Sequence, residues 1–266
     1  MTHYATLNGV KVPYTDQGEG LPLVFLHAFP LSHTMWTPQA EAFSGNYRVI
    51  RLDLRGHGEP EGDRRNFGLD DYADDVIALL DHLKVPRAVI IGLSMGGYTA
   101  FSIIRRHAAR VQALVLADTR APADDEDVRD VRITMADVTK KKGNGAIATL
   151  MLPKLLAPST PQTNPGLTTL VREMILAAKP EWIVNDLMAM AARPDSTELL
   201  AQITCPTLVI IGEEDLATPM ADSQFMADRI RNCTLAVIPK AGHLTNIEQP
   251  DAFNTALESF LKTLQP

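Results

Sequence analysis

Residues 89–101 read VIIGLSMGGYTAF. Val89 to Leu93 form an apolar run suited to a strand buried on both faces of a sheet. From Met95 onward the residues are small and helix-compatible. Between the two stands Ser94, with Gly92 two places before it and Gly96 two places after. A turn this sharp, from strand into helix, pushes its central residue into a strained backbone conformation costing about 1–3 kcal/mol. Side chains two positions to either side would collide across the turn, so both positions call for glycine. The result is a hydroxyl held clear of the sheet's carboxyl edge, beside a helix N-terminus. The five-residue pattern recurs by chance; the strand before it and the helix after it are what give it meaning.

Outward from this point the chain keeps the same rhythm. YATLNGVKVPYTDQG (4–18) reads as a hairpin turning at Asn8-Gly9. Short apolar runs follow at 21–27, 48–54, 88–93, 112–118, 207–213 and 234–239, which with the hairpin makes eight strands. Helical patterns lie between them. In 70–84, Val76, Leu79, Leu80 and Leu83 form one apolar stripe, and four aspartates crowd the start, where the helix dipole favours anions. In 250–264, Pro250 opens a helix whose apolar face is Phe253, Leu257, Phe260, Leu261 and Leu264. The alternation predicts an α/β protein with a mostly parallel sheet flanked by helices.

The alternation lapses between Arg120 and about Leu200, where only helices are expected, near 124–142, 144–156, 165–178 and 180–192. The predicted organisation is a core of residues 1–119 and 201–266 with a helical cap insertion at 120–200. DDED and KKK at the two ends of the first cap helix complement its dipole, and Gly143 ends it. Five methionines, Met135, Met151, Met174, Met188 and Met190, fall in this insertion. Most are expected to pack it, with a few available to line an adaptable apolar pocket. Trp36 and Trp182 are read as core residues.

Composition narrows the function. Of 266 residues, 45% are hydrophobic, enough for a packed core. The net charge of −7 argues against a nucleic-acid partner, which demands basic surface. No apolar run is long enough to span a bilayer, and MTHYATLNGV lacks the basic start and apolar stretch of a signal peptide. The expected location is cytoplasmic, with no membrane partner. Cys205 and Cys233 form no metal or redox motif and are expected to be buried free thiols. Oligomeric state is not legible.

A serine hydroxyl is a poor nucleophile unless a base lies within hydrogen-bond reach. Of seven histidines, His243 is the strongest candidate: it follows the last strand, in PKAGHLTNIEQP (239–250). His27 and His57, in loops after strands, could also approach the site. His3 in the N-terminal tail, His33 in a loop, and His82 and His107 in helices read as ordinary surface or capping residues. A neutral imidazole must be oriented by an acceptor on its other nitrogen. Asp215, just past the strand at 207–213, is the favoured acid, with Glu213 and Glu214 solvated. Asp118 is the runner-up, its simpler role being to cap the turn into the insertion. A cation held by GEED (212–215) with His243 explains these residues less well than a triad. Acyl transfer also needs donors for the developing oxyanion. The Met95 N–H is one, and the Phe29 N–H, in HAFPLS (27–32), is the other; Pro30 cannot donate. The plain alternative makes that loop a simple connection with Phe29 in the core.

Five segments, FLHAFPLSHTMW (25–36), RLDLRGHGEP (51–60), GLSMGGYTA (92–100), PTLVIIGEEDLATP (206–219) and AGHLTNIEQP (241–250), resemble the α/β-hydrolase family over essentially the whole chain. Within it the chain is most similar to small serine esterases, cofactor-free perhydrolases of the haloperoxidase type and enol-lactonases. The resemblance implies the α/β-hydrolase fold, Ser94, Asp215 and His243 as catalytic residues, Phe29 as an oxyanion donor and a cap at 120–200. Two departures stand out. Ala28 replaces a glycine, which would strain the loop if that glycine has positive φ. Glu59-Pro60 stands where a serine or threonine is common. Asp53, Arg55 and His57 are read as structural. Ser94 excludes the aspartate-nucleophile chemistry of dehalogenase relatives. The expected activity is hydrolysis of a small-molecule carboxylic ester or lactone through an acyl-enzyme, with no metal or organic cofactor. The alternatives are the same triad working with peroxide or on a carbon–carbon bond, and a ligand receptor with slow turnover.

Overall fold

The computed structural model describes residues 1–57 and 67–264. The Glu59-Pro60 departure lies outside the described residues. The strands are β1 (His3–Leu7), β2 (Val10–Gln17), β3 (Pro22–Leu26), β4 (Arg48–Leu52), β5 (Ala88–Leu93), β6 (Val111–Ala117), β7 (Thr207–Gly212) and β8 (Cys233–Ile238). They form one sheet in the order β1-β2-β4-β3-β5-β6-β7-β8. β2 is antiparallel to both β1 and β4; every other pair is parallel. All eight predicted strands are present. His3 is part of β1 rather than a tail residue.

The core helices are α1 (Thr37–Phe43), α2 (Leu69–His82) and α3 (Met95–His107). Between β6 and β7 come α4 (Glu126–Lys142), α5 (Asn144–Leu155), α6 (Thr160–Thr163), α7 (Pro165–Ala177), α8 (Pro180–Ala191) and α9 (Thr197–Leu200). The chain closes with α10 (Met220–Arg229), α11 (Thr245–Glu248) and α12 (Pro250–Lys262). Trp36 is fully buried between Phe25 of β3 and Phe253 of α12, with ring centroids 5.0 and 5.8 Å away. It therefore joins the sheet to the C-terminal helix. No described helix is long and apolar enough to cross a membrane.

The four long cap helices fall where periodicity placed them. Asp125 caps α4 by accepting from the Val128 N–H, and Gly143 ends it at φ 71°. Two short helices, α6 and α9, are too brief for any periodic signal. The two ends of the insertion are clasped by charge. Asp124, ahead of α4, pairs with Arg193, just after α8, at 2.6 Å, and also with Arg132. Arg193 donates to the Pro122 carbonyl and lies 4.1 Å from the centre of the Tyr98 ring. Removing one partner of a buried pair strands the other charge. Asp124→Ala is expected to lower the unfolding free energy by about 3–5 kcal/mol, measurable by urea titration.

The insertion between β6 and β7 is also tied to the elements that precede it. His57 Nε2 meets Asp186 of α8 at 2.7 Å, and the Tyr72 hydroxyl of α2 donates to the other oxygen of the same carboxyl. Burial disfavours the His57 imidazolium, but the Asp186 carboxylate outweighs it and lifts the proton affinity. Trp182 stacks on Phe67 with centroids 5.5 Å apart. Arg55 forms a bidentate pair with Asp75, at 2.7 and 2.8 Å. His33 is not a surface residue: it is buried, with Nδ1 2.8 Å from Asp53. The two cysteines are free, as expected, but half-buried rather than buried. β8 is the outermost strand, so Cys233 has no neighbouring strand beyond it. Burial pushes the Cys233 thiol up to about 11 and raises that of Cys205.

Candidate active site

The parallel strands end together on one edge of the sheet, and each contributes a loop there. The chain runs from β3 to β4 on one side and then to β5 on the other, so β3 and β5 bracket a topological switch point. Ser94 follows β5, and the 27–32 loop follows β3, beside it.

Ser94 has φ 55° and ψ −113°, a region that side chains rarely adopt. The elbow is closed by backbone contacts that exclude side chains. A Cβ on Gly92 would lie 2.3 Å from the Gly96 carbonyl oxygen, and one on Gly96 would lie 2.2 Å from that of Leu26. Ser94 is half-buried, at the start of α3. Its carbonyl accepts from the Gly97 and Tyr98 N–H groups and from Thr119 Oγ1 at 2.9 Å.

His243 and Asp215 come together as the sequence suggests. His243 Nδ1 lies 2.8 Å from Asp215 Oδ2. The carboxylate also accepts from the Ala217 and Thr218 N–H groups, at 2.7 and 3.0 Å, and from Thr218 Oγ1 at 2.6 Å. Burial favours neutral Asp215, but His243 and the Thr218 donors outweigh it and hold the carboxyl below its ordinary range. Burial also opposes the His243 imidazolium; Asp215, then Asp118 and Glu248, outweigh it and raise the proton affinity. Thr218 was not singled out from the sequence. The signal is Asp215 itself, since an aspartate after a strand tends to fold the next residues back onto its own carboxylate, as it does here with Ala217 and Thr218.

Asp118 does not cap the turn into the insertion. It is fully buried at φ 45°, accepts from the Gly212 N–H at 3.0 Å, and accepts from Thr245 Oγ1. Burial, then the charge of Asp215, lifts its carboxyl well above the ordinary range. Residues 118 and 119 therefore touch both halves of the site. Thr119 holds the Ser94 carbonyl, and Asp118 holds Thr245, two residues after His243. The His243 ring bonds to Asp215 and, at 3.4 Å, approaches Thr218 Oγ1; no hydrogen bond among the described residues joins it to the Ser94 hydroxyl. Catalytic hydrogen bonds often tighten only once substrate is bound.

Phe29 and Met95 are both buried. Met95 is the first residue of α3, so its N–H has no helical acceptor. The loop and cap bonds of the backbone use neither N–H. The Phe29–Pro30 peptide is cis. Ala28 is not among the residues with positive φ, so the expected strain is absent. It sits in ordinary backbone, its N–H on Met35 Sδ and its carbonyl accepting from the Leu31 N–H. His27 is not available as a base. Leu54 N–H donates to its Nε2 at 2.9 Å, so Nδ1 carries the proton and donates to the Ala28 carbonyl. Burial, then His57, depresses its pKa to about 3. His57 is committed to Asp186. Glu213 is exposed and Glu214 half-buried, as expected of solvated groups.

A cavity of about 830 Å³ lies elsewhere. It is bounded by Trp182, Asn185 and Met188 on α8 and by Phe67, Leu69 and Asp70 at the start of α2. Ser94, Asp215 and His243 are not among its lining residues.

A serine on a strained strand-to-helix elbow, a histidine–carboxylate pair on the same sheet edge and a helical insertion between β6 and β7 define an α/β-hydrolase architecture. The chain belongs to the alpha/beta hydrolase family, whose model matches residues 23–256. It is 31% identical to 3-oxoadipate enol-lactonase 2 of Acinetobacter baylyi over 97% of this chain and 95% of that one. Among solved structures it is similar to a thermophilic esterase from Thermogutta terrifontis in its malate-bound form, at 37% identity and a TM-score of 0.96, covering 100% of both chains. It is also similar to the enol-lactonase from Burkholderia xenovorans LB400, at 31% identity and a TM-score of 0.91, covering 98% of this chain and 100% of that one.

Proposed function

We propose that this protein is a serine hydrolase that cleaves small carboxylic esters or lactones through an acyl-enzyme on Ser94. The observation that carries this reading is Ser94 at φ 55° on the same sheet edge as the 2.8 Å His243–Asp215 pair. The esterase and enol-lactonase relatives support ester or lactone hydrolysis.

Asp215 at Nδ1 keeps the imidazole proton on that nitrogen and leaves the Nε2 lone pair free. Nε2 takes the Ser94 proton as Oγ attacks the substrate carbonyl. The Met95 and Phe29 N–H groups stabilise the oxyanion. Collapse of the tetrahedral intermediate breaks the carbon–oxygen bond of the ester, and His243 returns the proton to the leaving alcohol. His243 then deprotonates a water that attacks the acyl-enzyme, and Ser94 leaves with its proton restored. In a lactone the leaving alcohol stays attached to the acyl group. The methionines of the cap suit small to medium uncharged acyl groups.

A fluorophosphonate probe tests the nucleophile directly. Ser94 is expected to carry the adduct, read by mass spectrometry of the labelled peptide; labelling absent from Ser94 overturns the reading. A panel of p-nitrophenyl esters, lactones, and acetate with peroxide then separates hydrolysis from peracid formation. Sustained turnover separates an enzyme from a receptor.

The pH dependence follows from His243. Its base form is the neutral one, and its proton affinity is raised above the ordinary 6.5. Activity is therefore lost as pH falls through the raised value. The acid limb of kcat/KM is expected to have its midpoint above pH 6.5, measured on a substrate that does not itself titrate.

A further inference from the structure

We infer that Glu248 is a positioning residue for the general base: its carboxylate fastens the loop carrying His243 to the cap, so that seating the cap and aligning the imidazole are one event. The inference rests on the reading of His243 as base.

Glu248 closes α11, five residues after His243. Its two oxygens serve two different parts of the chain. Oε1 accepts from the Ala157 N–H at 2.8 Å and from Thr160 Oγ1 at 2.6 Å, at the junction of α5 and α6 in the cap. Oε2 accepts from the Gly242 N–H at 2.7 Å, immediately before His243. The two backbones approach closely here: a Cβ on Gly242 would lie 2.4 Å from the Ala157 nitrogen. All three partners are donors, which is the set an ionised carboxylate satisfies and an amide does not. An amide would have to give up either the Gly242 N–H or the Ala157 N–H, since only its oxygen accepts.

The other members of the site are held by the sheet. Ser94 is fixed by its elbow, and Asp215 by the turn directly after β7. His243 stands on a loop between β8 and α11, so its place depends on what grips that loop. The Glu214 N–H donates to the Ala241 carbonyl, and Asn246 is bonded to Met35 and Gln39; two carboxyls flank His243 itself. Asp118 holds Thr245 on one side and ends in the sheet, at Gly212. Glu248 holds Gly242 on the other side and ends in the cap. Glu248 is therefore the hydrogen-bonded route by which a shift of the cap reaches the base, beside the close approach of the Gly242 and Ala157 backbones. Misplacing a reacting group by about 1 Å can cost about 100-fold in rate.

Two variants separate the tie from the charge. Three carboxyls face His243: Asp215, Asp118 and Glu248. The first two are unchanged in both variants. Glu248→Gln removes the charge and breaks one of the two backbone ties, to Gly242 or to Ala157. With p-nitrophenyl acetate, kcat is expected to fall about 10- to 100-fold with KM little changed. The acid limb of kcat/KM is expected to move to lower pH, because one negative charge stabilising the imidazolium is gone. Glu248→Asp keeps the charge but is too short to reach both partners. Its kcat is expected to fall while its acid limb stays in place. A folded Glu248→Gln protein, by circular dichroism and melting, with wild-type kcat and acid limb overturns the inference. If Glu248→Gln does not fold, wild-type kcat in Glu248→Asp overturns it alone. Fluorophosphonate labelling keeps the two readings apart. Ser94 labelling at the wild-type rate in Glu248→Gln removes this inference and leaves the nucleophile standing. No labelling of Ser94 in the wild type removes both.

Discussion

Ser94→Ala is expected to lower kcat/KM on p-nitrophenyl acetate by about 10⁴-fold or more. No other hydroxyl stands on the elbow, and the acyl-enzyme route has no substitute for its Oγ. What remains in the variant is binding plus the Phe29 and Met95 donors, which polarise the carbonyl toward attack by water. The loss should appear in kcat, because the substrate contacts are otherwise untouched. Stability should change little. Alanine at φ 55° carries the same backbone strain as serine, and the elbow contacts belong to Gly92 and Gly96. Melting curves of the two proteins should therefore nearly coincide. Full activity in a folded Ser94→Ala protein would mean that the hydrolysis takes place elsewhere.

Asp215→Asn is the second large effect, about 10⁴-fold in kcat. The carboxylate meets four donors, from Ala217, Thr218 twice and His243. An asparagine amide can direct its oxygen at only part of this set, and its NH₂ presented to Nδ1 would favour the tautomer with the proton on Nε2. That tautomer has no lone pair for the Ser94 proton. The comparison with Asp118→Asn decides between the two acids that the chain order allows. Asp118 meets Gly212 and Thr245 and makes no hydrogen bond to the imidazole, so its loss should cost less than that of Asp215. The reverse order of effects would assign the orienting role to Asp118.

The elements and the candidate residues differ in how far they were legible in the chain. The parallel strands are nearly continuous apolar runs because both faces of the sheet are covered, and such runs are visible locally. The elbow is legible because steric exclusion at Gly92 and Gly96 acts within five residues. Asp215 and His243 are legible because each directly follows a strand of a parallel sheet, so chain order alone brings them to one edge. The short α6 and α9 carry too few residues to show a period. His33 escaped as a surface residue because its partner, Asp53, lies on a different strand's loop. Cys233 was expected to be buried because its strand is apolar, but β8 proved to be the edge of the sheet.

From its residues alone this chain determines an α/β sheet, a helical insertion and the order in which Ser94, Asp215 and His243 reach one sheet edge, since each of these follows from local sterics, burial and direction of travel. Folding alone decided that Asp118 clasps Thr245, that Asp186 secures His57, that Asp124 and Arg193 close the base of the insertion, and that Glu248 joins the histidine loop to the cap. These pairings join distant segments through single hydrogen bonds and charges, which leave no periodic trace and come into being only when packing removes the water between the partners.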